Sequence, residues 1–561
     1  MGIFEVVFRP VQDLEFKGNF SRYTYDNWSK DRVLTYNLYN DKGEVASVQN
    51  RTTGLTEGVN NNYRNMLQFT VDYSKKVGDH SIKLLGGFSQ EYFNTSEFSA
   101  FRENLPFGEV DVLNSGSQIN MRSTGQAKDV AIQSLFGRLN YDYKGRYLLQ
   151  ANIRGDGSSR FAKGYRWGIF PSFSAGWNIH QEDFFHWDLI SSLKLRGSWG
   201  ILGDAEKVGN YATAAVLAYE PAMYGFNGLV VPGAWNNVSI NPNISWEESK
   251  QTNIGLDLGI AKTINFSIDY FINNRDKILY APPVPSEFGL TGPLDNLLKL
   301  KSSGLEVLVG YKEQKNDWNW AVDFNTSFSN NKVRDLAGTG PWIGSSTYTE
   351  VGHTFNLPYG YQAIGLFQSE DEIKNSASQG TNVFPGNIRY QDQNHDGVIN
   401  GEDRVILRDK PSIRFGMNIS LGWRNLDMMT NFYGTLQNVR YISGYEGWAF
   451  FLTQNARPMH LDNWTTTNTD ASYPRLSLQN TSNDQQYSDY WLRKADYLKI
   501  QNVQVGYTFP KRLMDNWKLN GLRVFLSGQN LATITAYPGF DPEGSYYPLS
   551  RTFSFGVNLN F

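Results

Sequence analysis

One stretch of the sequence has the residue types and the spacing of a cation-binding loop. It reads Asp392-Gln-Asn394-His-Asp396-Gly397-Val398-Ile399-Asn400-Gly-Glu402-Asp403. In loops of this pattern, oxygens at positions 1, 3 and 5, the carbonyl of position 7 and a carboxylate at position 12 surround a hard cation, and glycine at position 6 permits the sharp turn. We therefore predict a structural calcium site formed by Asp392, Asn394, Asp396, the carbonyl of Val398, Asn400 and Asp403. Glu402 could replace Asp403 as the final ligand, and the alternative interpretation is a hydrated acidic turn.

Short elements around this loop would hold it in place. Ser369-Glu-Asp-Glu372 has the spacing of a capping box, which predicts the start of a short helix. Pro385-Gly-Asn-Ile-Arg-Tyr390 is typical of a turn that leads into a small strand. Ile399 would anchor the loop by apolar packing. Residues 355–411 are therefore predicted to form a folded subdomain on the side of the long loops.

Other residues with chemical potential lack the arrangement that catalysis requires. Glu247 and Glu248 are adjacent carboxylates, but neighbours on a strand point to opposite faces and cannot flank one bond. The six histidines show no HxxxH or HExxH spacing. Gly338-Thr-Gly340 and the glycine at 344 miss the dinucleotide-binding spacing. The sequence predicts neither an enzyme nor a cofactor other than calcium.

The composition narrows the class of protein. Aromatic residues make up 15% of the 561 residues, charged residues only 19%, and cysteine is absent. Few charges and many aromatic rings suit strands that face lipid on one side and water on the other. The formal net charge is −3 without a basic block, which argues against nucleic acid as a partner.

Alternation of apolar and polar residues recurs along the whole chain. Leu14 to Phe20 and Ile264 to Ile272 are examples, and we count roughly 17 such strands. Tight connections (Arg9–Asp13, 144–146, 261–263, 424–426) occur beside long polar ones (25–62, 97–128, 203–242, 333–411, 437–486). Turns of two sizes and the lack of an apolar run of about 18 residues favour a transmembrane barrel over membrane helices. The predicted fold is an all-β, antiparallel transmembrane β-barrel with long extracellular loops, of about 22 strands when intact.

The last strand gives the clearest evidence for this prediction. Phe553, Phe555, Val557, Leu559 and Phe561 alternate with Ser554, Gly556, Asn558 and Asn560. One apolar face and one small polar face indicate a strand between lipid and water. The alternative is an amphipathic final strand in a soluble sandwich.

Several motifs add a family resemblance. They are Arg154-Gly-Asp-Gly-Ser-Ser-Arg160-Phe161, Arg166-Trp-Gly-Ile-Phe-Pro171, Leu193-Lys-Leu-Arg-Gly-Ser-Trp-Gly200, Asn243-Ile-Ser-Trp-Glu-Glu-Ser-Lys-Gln-Thr-Asn253, Leu300-Lys-Ser-Ser-Gly-Leu-Glu306, Tyr497-Leu-Lys-Ile-Gln-Asn-Val503, Gly528-Gln-Asn-Leu531 and Pro538-Gly-Phe-Asp-Pro542. Together they resemble the SusC/RagA-like branch of the TonB-dependent receptors over essentially the whole chain. The resemblance implies an integral protein of the Gram-negative outer membrane that imports an oligosaccharide or a peptide. It also implies a SusD-like surface lipoprotein as partner, and TonB acting through an N-terminal plug.

The N-terminus departs from that family pattern. Met1 to Pro10 shows no basic region, no sustained apolar region and no small-residue cleavage site. We therefore expect residues 1–561 to be a barrel that lacks the signal peptide, TonB box, plug and first strands of the intact protein.

Aromatic residues in the long loops are candidates for substrate contact. Rings at such positions can stack on sugars: Trp235, Trp342, Tyr348, Trp448, Phe450 and Trp464. The alternative is packing within the loops or in the aromatic belt at the membrane interface. Rival functions are a binding or adhesion barrel without transport, a non-functional truncated remnant, and a soluble calcium-dependent glycan-processing enzyme.

Overall fold

The computed structural model describes residues 1–105, 111–214, 217–236, 239–282, 284–478, 483–516, 519–544 and 548–560. Strands dominate this part of the chain. Within it, no helix is both long and apolar enough to cross a membrane.

The strands follow one another along the chain with few helices between them. They are β1 (Gly2–Val11), β2 (Leu14–Val33), β3 (Tyr36–Tyr39), β4 (Val45–Gln49), β5 (Gly54–Val77), β6 (His80–Glu103), β7 (Arg122–Tyr143), β8 (Tyr147–Ser158), β9 (Trp167–Asn178), β10 (Ile190–Asp204), β11 (Leu217–Phe226), β12 (Leu229–Asn236), β13 (Glu247–Ile260), β14 (Ile264–Tyr280), β15 (Asp295–Lys315), β16 (Trp318–Asp335), β17 (Trp342–Ile343), β18 (Thr347–Thr349), β19 (Leu357–Gly360), β20 (Ala363–Leu366), β21 (Ile388–Tyr390), β22 (Val405–Ile406), β23 (Ile413–Trp423), β24 (Leu426–Leu436), β25 (Val439–Tyr441), β26 (Leu492–Lys494), β27 (Tyr497–Thr508), β28 (Gly521–Thr535) and β29 (Thr552–Asn560). The α-helices are α1 (Glu370–Lys374) and α2 (Lys511–Asn516). Single 3₁₀ turns occur at Leu113–Ser115, Ile179–Gln181, Ser286–Phe288, Gly401–Asp403, Phe451–Thr453, Pro458–His460 and Asp489–Trp491.

The large sheet confirms the predicted all-β, antiparallel architecture. Its 17 strands are β1, β2, β5 to β10, β13 to β16, β23, β24 and β27 to β29. Antiparallel registers join β5 with β6 and β27 with β28, for example. The number of strands agrees with the number of alternating segments in the sequence.

The chain divides into two compact units. The first contains Met1–Ala175, Gly200–Ser249 and Lys277–Asn296, and the second contains Gly176–Trp199, Lys250–Asp276 and Leu297–Phe561. A hydrophobic cluster of the first unit packs Phe161, Phe170 and Ile244 around the ring of Trp246. The main cluster of the second unit lies in its long connections.

Tight turns join many of the sheet strands on one side. Lys144 and Gly145 adopt left-handed backbone conformations between β7 and β8, and Arg424 does so between β23 and β24. Trp318 and Trp423 lie opposite each other at the turn-proximal ends of β16 and β23, with their rings stacked at a centroid distance of 5.9 Å. An aromatic belt at this level is typical of membrane-spanning strands.

The final strand β29 presents one apolar face. Phe553 and Phe555 are 68% and 71% exposed, and Val557 and Leu559 are exposed on the same side. Phe561, the terminal residue of the predicted alternation, lies outside the described residues. Exposed phenyl rings on alternate positions fit a strand that faces lipid.

Strands extend into two of the predicted long loops, so those boundaries were wrong. Within 25–62 and 97–128, β2 continues to Val33, β5 starts at Gly54, β6 runs to Glu103 and β7 starts at Arg122. Backbone pairing persists there, while polar runs such as Asn60-Asn61-Asn62 interrupt the alternation. Alternation disappears although the strand continues, and for that reason the sequence pattern ended these strands too early. The region 203–242 also contains strands, because β11 pairs with β12.

Candidate functional site

The long connections of the second unit share one hydrophobic core. Ile388 and Tyr390 from the 355–411 segment are buried against residues from later connections. These are Ile442, Tyr473, Trp491, Ala495 and Tyr537. The segment that carries the predicted calcium loop is therefore packed together with the connections that follow β24 and β28.

The local elements predicted around the loop are present. The Ser369 hydroxyl accepts a hydrogen bond from the Glu372 backbone N–H (3.1 Å) at the start of α1, and the Gln368 N–H donates to the Glu372 carboxylate (2.6 Å). Glu372 also pairs with Arg389 at 2.7 Å. This ion pair ties α1 to β21, which pairs antiparallel with β20.

In the calcium-type loop, side-chain oxygens accept hydrogen bonds from backbone N–H groups of the same loop. Asp392 accepts from the N–H groups of His395 (2.7 Å) and Gly397 (3.0 Å). Asp396 accepts from the N–H of Val398 (2.8 Å). Gly397 has a φ of +85°, which explains why position 6 needs glycine.

Asn394 and Asn400, two further predicted ligands, take part in similar hydrogen bonds. Asn394 accepts from the Asp396 N–H (3.1 Å) and donates to the Glu402 carboxylate (3.2 Å), while Asn400 accepts from the Glu402 N–H (2.8 Å). Ile399 packs against the shared core, as predicted for the anchor of the loop.

The side chain of Asp403 connects the first and last parts of the loop. It is fully buried, and its two carboxylate oxygens accept from the N–H groups of Gln393 and Asn400, each at 2.8 Å. Within the described ranges, none of the carboxylates of Asp392, Asp396, Glu402 and Asp403 forms an ion pair with a basic side chain. In those same ranges no three acidic or histidine side chains converge closely enough to hold a metal. The chain thus places four negative charges in one short loop, with their oxygens directed at backbone N–H groups.

A second charged cluster joins β24 and β27 to the segment that follows β28. Lys499 forms an ion pair with Asp541 at 3.0 Å and another with Glu543. Tyr433 and Tyr497 donate to the same Glu543 carboxylate at 2.9 and 2.6 Å. Burial raises the pKa of Glu543, but these hydrogen bonds outweigh burial and hold the pKa below its ordinary value of 4.5.

The Pro538-Gly-Phe-Asp-Pro542 motif is fixed by further buried charge. Glu446 accepts from the Tyr537 hydroxyl (3.0 Å) and from the Phe540 N–H (3.1 Å). Arg440 pairs with Glu446 at 3.2 Å and donates to the Asp541 carbonyl. Arg457 donates to the Pro538 carbonyl (3.1 Å) and lies over the Phe540 ring. These contacts hold residues 538–542 against the β24–β27 pair, and we call this segment the clasp.

A cavity of about 580 Å³ opens beside this clasp. Arg414 and Thr435 lie opposite each other in β23 and β24, and Tyr497 is paired with Thr435, so the three side chains share one face. Glu543 and Arg440 also line the cavity. The volume falls in the range of about 300–1,000 Å³ that is common for small-molecule sites.

The predicted substrate-contact residues differ in how much ring surface they offer. Trp342 is buried, and its indole N–H donates to the Thr339 hydroxyl (2.9 Å). Tyr348 is half-buried against Tyr359, with ring centroids 5.1 Å apart. Trp235 is half-buried in β12, and Trp448 is half-buried against Phe451. Trp464 is buried, and Phe450 is half-buried with a left-handed backbone.

The clasp residues were not identified by sequence reasoning. Asp541 and Pro542 entered only through their motif, and Lys499 only through Tyr497-Leu-Lys-Ile. One signal was available, since a lysine in an apolar strand segment demands an acidic partner when it is buried. Its partners lie more than 40 residues away in the sequence, so no local spacing could reveal them.

The chain belongs to the TonB-dependent receptor-like β-barrel family, whose model matches residues 8–531. Members of this family are outer-membrane proteins. The chain is 28% identical to TonB-dependent receptor P3 of Formosa agariphila, with 100% of this chain and 57% of that protein covered. It is 27% identical to TonB-dependent receptor SusC of Bacteroides thetaiotaomicron, with 88% of this chain and 49% of that protein covered. The chain thus spans about half the length of these relatives.

A solved structure shares the fold. The RagAB peptide transporter superposes with a TM-score of 0.84 at 20% identity, over 99% of this chain and 61% of that one. This likeness confirms the barrel-type fold predicted from the sequence.

Proposed function

We propose that the chain is the barrel portion of an outer-membrane importer that takes up an oligosaccharide or a peptide. The observation that carries the proposal is the match of the family model to residues 8–531, together with the 28% identity to a TonB-dependent receptor over the whole chain. The apolar face of β29 and the stacked tryptophans at the turns support a membrane span.

The proposal includes two protein partners. A surface lipoprotein of the SusD type would cover the side of the long loops, where the shared core and the clasp form a firm surface. TonB would act through the part of the intact protein that the chain does not span. The relatives named SusC and RagAB support this arrangement.

A bound calcium ion is the third element of the proposal. Asp392, Asn394, Asp396, the Val398 carbonyl, Asn400 and Asp403 would hold it, and the ion would link the loop ends that Asp403 already joins. The excess of negative charge in the loop favours a divalent cation, and oxygen donors of this kind suit calcium. Ligation requires the side chains of Asp392, Asp396 and Asp403 to turn from backbone N–H groups toward the ion.

Transport by the intact protein tests the proposal. Cells that carry the intact gene and cells that lack it are supplied with labelled oligosaccharides and peptides, with and without a protonophore. Accumulation that requires both the gene and the proton gradient supports the importer. Surface binding without accumulation would instead identify an adhesion barrel.

A further inference from the structure

Four neighbouring strands of the first unit are much longer than a lipid layer requires. β5 and β6 have 24 residues each, β7 has 22 and β2 has 20. A membrane-spanning strand needs only about 9–11 residues. The tight turn at Gly78-Asp79 marks one end of the β5–β6 pair, so the opposite ends of these strands continue beyond the lipid on the side of the long connections.

The registers of these outer ends align polar residues straight across the four strands. One row consists of Ser29, Gly58, Ser99 and Thr124. Two positions further along each strand, a second row consists of Asn27, Asn60, Glu97 and Gln126. Side chains two residues apart on a strand share a face, so both rows lie on one surface.

This surface faces away from the lipid side of the same strands. Phe20 and Leu67 are paired and exposed, and they mark the apolar face where β2 and β5 cross the membrane. Asn27 lies an odd number of residues from Phe20, and Asn60 lies an odd number from Leu67. The two polar rows are therefore on the opposite face, which continues the water-facing side of the strands.

The rows line a recess of about 430 Å³. Gly58 forms its floor, because a Cβ atom at this position would lie 3.1 Å from the Ser29 hydroxyl and 3.6 Å from the Cβ of Ser99. Hydrogen bonds fix the side chains around it: Ser99 to Thr124 at 2.7 Å, and Gln126 to Glu97 at 2.7 Å. Asn62, in the next row, donates to Asn60 at 2.7 Å and thereby orients its amide.

The recess is a hydrogen-bonding surface with few charges. Hydroxyl and amide groups supply both donors and acceptors, and Glu97 is the single charged side chain in the two rows. The next row on the same face contains Tyr25, whose ring is exposed, and ends in Lys128. Paired hydroxyls, amides and one carboxylate beside an aromatic ring suit the hydroxyl groups and the apolar ring face of a sugar.

We propose that this recess binds a neutral oligosaccharide on its way into the barrel. The inference rests on the proposed import function and narrows its substrate class. The recess lies on strands rather than on loops, so it is rigid before the ligand arrives.

Binding by the intact protein, purified in detergent, tests the inference. The probes are arrays of short neutral oligosaccharides and, separately, of short peptides. The double variant Asn60→Ala/Gln126→Ala removes recess hydrogen bonds, and the matched control Asn61→Ala/Ser96→Ala alters a register pair on the opposite face. Gly58→Leu fills the floor as an independent second variant.

We expect a neutral oligosaccharide to bind and its affinity to fall about tenfold or more in Asn60→Ala/Gln126→Ala and in Gly58→Leu, but to stay unchanged in the control. Oligosaccharide binding that is the same in all variants, binding of peptides alone, or no oligosaccharide binding at all would overturn the inference. Peptide binding with uptake that depends on the gene would leave the import function standing. Oligosaccharide binding in the recess without uptake would instead refute import alone.

Discussion

Lys499 and Asp541 form an ion pair of 3.0 Å in which the side chains are only 3% and 6% exposed. The pair connects β27 to the segment after β28, and Glu543 shares the same ammonium group. Removing one partner of a buried pair leaves an uncompensated charge, which is more costly than the pair itself is worth. The clasp therefore depends most on Lys499, which neutralises both carboxylates.

Loss of the lysine should release the clasp. Lys499→Met leaves two carboxylates facing each other, and we expect the opening free energy of the Tyr537–Gly544 segment to fall by about 3–5 kcal/mol. Asp541→Asn should cost less, since Glu543 still neutralises Lys499. Amide hydrogen exchange of this segment measures the effect.

Lys494→Met is the matched control for the clasp, because Lys494 is exposed in β26. It should leave the exchange of Tyr537–Gly544 unchanged. Equal protection in Lys499→Met and Lys494→Met would show that the ion pair does not hold the clasp.

The proposed membrane span predicts opposite responses of neighbouring residues in β29. Phe555→Arg places a charge on the apolar face and should destabilise the folded protein in bilayers by about 2–4 kcal/mol. Ser554→Arg places the same charge on the polar face and should cost much less. Urea unfolding in lipid vesicles compares the two. Similar costs for both variants would contradict a strand with one face in lipid.

Protonation of His460 should loosen the loop around it. The ring is buried, its Nδ1 accepts from the Arg457 N–H (2.9 Å), and its Nε2–H donates to the Gly447 carbonyl (3.2 Å). Burial lowers the pKa of His460 below its ordinary value of 6.5, and the nearby Arg457 acts in the same direction. The unfolded segment thus takes up a proton at a higher pH than the folded one, so stability is complete above about pH 6.5 and is lost as the pH falls below it.

Amide hydrogen exchange of residues 457–461 tests this prediction. It is measured at neutral and at mildly acidic pH and corrected for the intrinsic exchange rate. Opening should increase as the pH falls. His460→Gln, which has no titratable group, should abolish that dependence. A wild-type protein whose protection is independent of pH would refute the role of the ring.

The calcium proposal predicts a stabilised loop. With extracellular-type affinities of about 10⁻⁴–10⁻³ M, about 10 mM calcium should stabilise residues 392–403 by about 1–3 kcal/mol. Asp392→Ala should abolish the gain, and His395→Asn, at a non-ligand position with a φ of +60°, should keep it. Limited proteolysis with calcium, magnesium or a chelator reports the change. Equal cleavage in calcium and chelator would eliminate the proposed ion.

Local pattern predicted the fold well where one face of a strand is apolar. The alternation in β29 and the tight turn at Lys144-Gly145 were read correctly because lipid-facing alternation and left-handed turns leave direct signals. The outer ends of β5 and β6 were missed because polar runs such as Asn60-Asn61-Asn62 interrupt the alternation while the backbone pairing continues. Only backbone pairing, which is not encoded in any single strand, shows that they continue.

The candidate sites also differ in whether local sequence could predict them. The Asp392–Asp403 loop and the Ser369 cap are local in sequence, so spacing alone located them. The clasp and the recess are assembled from strands and segments that are distant in the chain. Asn27 and Gln126 become neighbours of one recess only through the register of four strands.

Uptake by living cells tests the central claim most directly. Labelled neutral oligosaccharides and labelled peptides are offered to cells with the intact gene, without it, and with it in the presence of a protonophore. The account predicts accumulation that appears only with the gene and disappears when the proton gradient is collapsed. Equal accumulation with and without the gene would contradict the proposal that this chain forms the barrel of an importer.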